Sequence, residues 1–124
     1  MPQNTGTDQV LYEDHLVCIT TQTITFRNYY FPFGTPKSVP FDQIERIEFS
    51  KPSIMNGQWR IWGSGNLLTW FPCDWNRPKR DLIFILFKRN ARTSIGFTVE
   101  NSTMAQLTLE RQGVAMQPRE SYKE

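Results

Sequence analysis

Apolar and polar residues alternate along the first half of the chain, and the alternation predicts strands. Val17 and Ile19 mark one face of a strand, and Ile24 and Phe26 mark one face of the next. Thr20–Thr23 lies between them as a hairpin turn, and the second strand runs on through Tyr29 and Tyr30. Phe31-Pro32-Phe33-Gly34-Thr35-Pro36 then predicts a turn, because Pro fixes φ and Gly accepts a positive φ. A short strand at Lys37–Val39 follows, then a tight turn at Phe41–Ile44. Ile47 and Phe49 alternate with Arg46 and Glu48, but Ile44 falls on the wrong parity, which a bulge at Glu45 would explain. Residues 50–58 read as a loop. Trp59–Trp62 and Leu67–Phe71 flank Gly63-Ser64-Gly65-Asn66 as the arms of a hairpin. After a loop from Pro72 to Arg80, Leu82–Phe87 is a strand apolar on both faces, and Ser94–Val99 alternates cleanly.

The period changes after Asn101. Thr103-Met104-Ala105-Gln106 matches a capping box, Met104, Ala105, Leu107 and Leu109 form an apolar stripe, and Gly113 stands where a helix would stop. One helix of about three turns is expected there. Asn101-Ser102-Thr103 also fits a glycosylation sequon, but at a helix entrance capping is the better use of those residues. The expected organisation is a frayed segment over 1–9, one domain over 10–112 and a flexible polar tail over 113–124. The expected fold is mainly β: a split barrel of two antiparallel sheets, about seven strands, closed by the C-terminal helix.

Composition narrows the function. With 124 residues and a net charge of +2 the chain fits one domain and lacks the strong basicity of a dedicated nucleic-acid binder. Four Trp, four Tyr and nine Phe can fill a core without disulfide staples. Cys18 and Cys73 stand far apart and read as reduced thiols, with a disulfide open only in an oxidising compartment. With a single histidine, His15, no zinc site of ordinary spacing can be written. No apolar run is long enough to span a bilayer, and a cytoplasmic protein is expected. No nucleophile, metalloprotease or nucleotide motif occurs, so no catalytic residue, metal or cofactor is expected.

Three stretches resemble small bacterial pleckstrin-homology-like proteins. They are Ile24-Thr25-Phe26-Arg27-Asn28-Tyr29-Tyr30-Phe31-Pro32, Val39-Pro40-Phe41-Asp42-Gln43-Ile44-Glu45-Arg46-Ile47-Glu48 and Trp59-Arg60-Ile61-Trp62-Gly63-Ser64-Gly65. Ile95–Asn101 is similar to the strand-to-helix junction of that group, although Val99, Glu100 and Asn101 depart from its usual Pro and paired acids. The resemblance covers residues 10–112 and implies the fold more than a function. In that superfold Lys and Arg near the first hairpin loop usually hold phosphoinositide head groups. The matching loop in this reading, Thr20–Thr23, has no cation, so contact with a membrane surface would not use it.

Two surfaces remain as candidates. Arg77, Lys79 and Arg80 precede the strand 82–87, and Lys88, Arg89 and Arg92 follow it. A six-residue strand spans about 20 Å, so these are two solvated loops rather than one patch, with Arg77, Lys79 and Arg80 the alternative anion contact. The aromatics give the stronger signal. Tyr29, Tyr30, Phe31 and Phe33 cluster at one turn, and Trp59, Trp62 and Trp70 in one hairpin. Ile83, Ile85 and Phe87 face away from Leu82, Phe84 and Leu86, so something must cover the outer face of that strand: the helix, a loop or another chain. The expected function is a non-catalytic module that binds protein, a second copy included, through these aromatic and apolar residues. The alternative is a small-ligand or lipid binder with Trp62 and Trp70 at a barrel mouth.

Overall fold

The computed structural model describes residues 9–51, 62–63 and 69–119. Nine strands and one α-helix occur among them, arranged as two sheets. The first sheet is an antiparallel meander of β1 (Val10–Glu13), β2 (Val17–Thr20), β3 (Thr23–Tyr30) and β4 (Thr35–Pro40). The second contains β5 (Ile44–Ser50), β6 (Thr69–Trp70), β7 (Ile83–Lys88), β8 (Ser94–Phe97) and β9 (Met116–Pro118), in the order β6-β8-β7-β5-β9. Helix α1 (Ser102–Arg111) follows β8.

The alternation decides which side chains meet. Val17, Ile19, Ile24 and Phe26 from the first sheet are buried against Ile47, Phe84, Leu86, Ile95 and Phe97 from the second. Phe97 lies 5.0 Å from Phe26 and 5.2 Å from Phe84, ring centroid to centroid. Each such ring contributes roughly 1.5–3 kcal/mol by leaving water. Ala105 and Leu109 of α1 join the same core. The bulge expected at Glu45 is present: Ile44 pairs with Lys88 and Arg46 with Phe87, so Ile44 and Ile47 both point inward.

Several expectations need correction. The second sheet is mixed, because its edge pairs β6–β8 and β5–β9 run parallel. The segment read as a loose tail supplies β9, held by backbone bonds such as Ile47 N–H to the Ala115 carbonyl, a pairing that polar side chains do not advertise. β1 precedes the hairpin taken as the first, so the first hairpin turn is residues 14–16 and Thr20–Thr23 connects β2 to β3. As an edge strand β1 is at most half-buried and carries a register shift, which removes its alternation. In α1 the cap is Asn101, whose side chain accepts from Met104 N–H, and not Thr103. Met104 and Leu107 are exposed, so the buried stripe is Ser102, Ala105, Thr108 and Leu109. Gly113 ends the helix as expected: at φ 88° it donates to the Glu110 carbonyl, and Val114 N–H reaches back to Leu109. Gly63, expected in a turn, exchanges two backbone hydrogen bonds with Phe71. Trp59 to Ile61 and Ser64 to Leu68 of that hairpin lie outside the described residues.

Candidate aromatic contact surface

Alternation from Ile24 and Phe26 would turn Tyr30 inward, but the β3–β4 ladder is interrupted between Phe26 and Tyr30 and the parity shifts, so Tyr29 enters the core and Tyr30 faces out. The Tyr29 carbonyl there accepts two indole N–H groups, from Trp70 at 2.8 Å and Trp62 at 3.1 Å. A carbonyl oxygen has two lone pairs, and both are used. The Trp70 ring packs 5.9 Å from Tyr29, and Trp62 meets Phe31 edge-on at 5.0 Å. The turn closes with Gly34 N–H on the Tyr30 carbonyl at 2.7 Å, and Gly34 sits at φ 77°, where a side chain would be strained.

On this backing three aromatic rings stand in water. Tyr30 is 45%, Phe31 66% and Phe33 91% exposed. Lys37 rises from β4 beside them, its Nζ 5.8 Å from the Tyr30 ring centre and 3.4 Å from its hydroxyl. Burial, then the neighbouring Tyr30, pushes the Tyr29 phenol up to about 12. The expected aromatic set thus divides: Tyr29, Trp62 and Trp70 are the support, and Tyr30, Phe31 and Phe33 are the surface. Trp75, which the sequence reading did not select as a contact residue, is 76% exposed.

The remaining candidates are covered by the chain itself. Ile83 and Ile85 are buried with Phe71 on the outer face of the second sheet. Phe71 reaches them across Gly96, where any Cβ would fall 2.2 Å from its ring. Phe87 is half-buried with the Arg46 guanidinium 4.0 Å from its ring centre. The cover is therefore neither the helix nor another chain: it is Phe71, next after β6 and bridged to Gly63, with Arg77 of the 72–80 loop over its ring.

That loop also corrects the cation reading. Arg77 is buried, donates to the Pro72 carbonyl at 2.9 Å and lies 5.1 Å from the Phe71 ring centre. Burial pulls its pKa down to about 10. Arg80 is tied to the buried carboxylate of Asp74, and of the three expected cations only Lys79 is exposed. Asp74 escaped the sequence reading; the one hint was a single acid among the arginines of the 72–80 loop.

A second cluster lies at the β1–β2 turn, around an open hollow of about 520 Å³ lined by Glu13, Asp14, His15, Arg27 and Glu100. Its acids are already engaged. Asp14 accepts from Leu16 N–H at 2.7 Å, Val17 N–H at 2.8 Å, Glu100 N–H at 2.8 Å and the Tyr12 hydroxyl at 2.5 Å. Glu13 pairs with Arg27, and Glu100 accepts from the His15 backbone and meets its ring. The cluster fastens the first hairpin turn to the helix entrance. No group of three or more His, Cys, Asp or Glu side chains among the described residues could hold a metal. No helix among them is long and apolar enough to cross a membrane. No family model matches the chain, and no curated protein or solved structure matches it.

Proposed function

We propose that this chain is a non-catalytic docking module of pleckstrin-homology-like architecture whose contact surface is the tip of the β3–β4 hairpin. The observation that carries the reading is the exposure of Tyr30, Phe31 and Phe33 on one turn, backed by two indoles on one carbonyl. A soluble fold rarely leaves adjoining large aromatics in water without a use for them. The architectural part draws support from an antiparallel four-stranded meander, then an antiparallel β5–β7–β8 unit, then one helix. A second copy of the chain as partner keeps only the Tyr29–Phe33 turn as its basis, since Ile83 and Ile85 are covered by Phe71. The small-ligand alternative is weakened because Trp62 and Trp70 brace the Tyr29 carbonyl. A cytoplasmic location belongs to the reading and suits Cys18 and Cys73, which are not joined in a disulfide.

A photo-crosslinking amino acid at position 33, compared with one at exposed Glu45, tests the contact surface in intact cells. Adducts at 33 that exceed those at 45 and fall away with Phe31→Ser are expected. Equal labelling at both positions would remove the tip as the contact surface.

A further inference from the structure

The aromatic tip is a prong and not a groove. Tyr30, Phe31 and Phe33 follow one another around a single turn, and the outermost is almost wholly in solvent. A protein partner would need a recess shaped to receive it. The interfacial region of a bilayer needs none, and aromatic rings with a polar edge partition there. Another exposed aromatic follows in the chain near β3: Cys73 N–H donates to the Asn28 carbonyl at 2.9 Å, and Trp75, 76% exposed, has its backbone within about 7 Å of Cys73.

Charge agrees with this placement. From Asn28 to Phe41 the chain carries one charged residue, Lys37, and no carboxylate. Its ammonium lies against the outer end of Tyr30, where a long stem can carry it to a phosphate while the rings sit deeper. In the adjoining loop Asp74 is buried and paired with Arg80. The acids of the β1–β2 turn lie behind the prong. Arg27, which pairs with Glu13, is three residues before Tyr30, roughly 10 Å back along an extended strand and beyond the Debye length of about 8 Å. The first hairpin turn, residues 14–16, offers no Lys or Arg to collect a phosphorylated head group.

We infer that this end of the molecule docks on a phospholipid bilayer by inserting Phe31 and Phe33, with Tyr30 and Trp75 at the interface, Lys37 on the phosphates and no head-group selectivity. The inference rests on the tip being the contact surface.

Co-sedimentation of the full chain with three kinds of vesicle tests it: phosphatidylcholine alone, phosphatidylcholine with phosphatidylglycerol, and phosphatidylcholine with a phosphoinositide at matched surface charge. All three should bind, the two charged kinds equally, with a blue shift of tryptophan emission. Phe31→Ser/Phe33→Ser should weaken binding at least about tenfold. Phe33→Ser alone, at a residue free of the core, should weaken it in the same direction and guards against misfolding. Lys37→Gln should weaken binding to the charged vesicles by no more than about fivefold. Met104→Ser/Leu107→Ser, on the exposed helix face, should leave binding unchanged. Failure of the wild-type chain to bind any vesicle would overturn the inference, and tip-specific crosslinks to protein would then leave the docking module standing. Binding that survives the tip variants, or that favours the phosphoinositide at matched charge, would also overturn it.

Discussion

Arg80 grips Asp74 with both arms of its guanidinium, Nε on one carboxylate oxygen at 2.9 Å and Nη2 on the other at 3.0 Å. Asp74 also accepts from the Asn76 N–H at 3.0 Å and from the Thr98 hydroxyl at the end of β8. These bonds hold the 72–80 loop against the second sheet, where Phe71 covers Ile83 and Ile85. The Asp74 side chain is 3% exposed and that of Arg80 18%. Asp74→Ala strands the guanidinium in a mostly buried place and should cost about 3–5 kcal/mol in urea unfolding. A loss below about 1 kcal/mol would mean the loop is held by something else.

The same carboxylate gives the fold an acid limit. Burial alone would raise the Asp74 pKa, but the bonds from Arg80, Thr98 and Asn76 outweigh it and hold the carboxyl below the usual carboxylate range. A group whose folded pKa is depressed stabilises the fold above its unfolded value, about 3.9 for Asp, and that stability is lost as pH falls through the folded value. Unfolding free energy should therefore drop with pH from about pH 4 downward. Asp74→Asn should start lower and show a shallower drop. Equal slopes for the two proteins would detach Asp74 from the acid response.

Gly96 decides whether the outer face of the second sheet is covered. A methyl group there would fall 2.2 Å from Phe71, so Gly96→Ala must push the ring off Ile83 and Ile85. Overpacking of this kind costs roughly 1–3 kcal/mol. It should also turn a hidden apolar face into a sticky one, seen as a rise in scattering mass at micromolar concentration. Phe71→Ala should reproduce the association by removing the cover outright. A Gly96→Ala variant with wild-type stability and wild-type mass would show that the Phe71 lid is dispensable.

What the sequence made legible is what neighbours in the chain decide. β2 and β3, the bulge at Glu45, the Gly34 turn and the Gly113 stop each depend on a few adjacent residues, and each is where the pattern put it. The run of aromatics at that turn was legible for the same reason, but which of its rings face water was not. The Asp74 clamp and the Phe71 lid were not, because their partners Thr98 and Ile83 lie in strands brought together only by the sheet. Apolarity on both faces of β7 correctly announced a cover but did not say whose. β1 and β9 were missed because edge strands paired through backbone need no alternating side chains. The cations at 77 and 80 looked solvated because sequence shows charge and not burial.

The helix entrance separates two caps that the sequence alone offers together. Thr103 and Gln106 have capping-box spacing, but the helix begins at Ser102, which puts Thr103 inside the first turn. The Gln106 amide bonds to Glu110 instead, at 3.3 Å. Asn101 Oδ1 takes the Met104 N–H at 3.1 Å, and the Tyr12 hydroxyl accepts the Asn101 N–H at 3.0 Å, so the true cap is also fastened to β1. Losing an N-cap side chain costs about 1 kcal/mol, which for a domain of this size is roughly a 4 °C fall in Tm. Asn101→Ala should show that fall. Thr103→Ala, at an exposed position inside the helix, should change Tm by about 1 °C or less. Equal losses from the two variants, or a larger one from Thr103→Ala, would return the cap to Thr103.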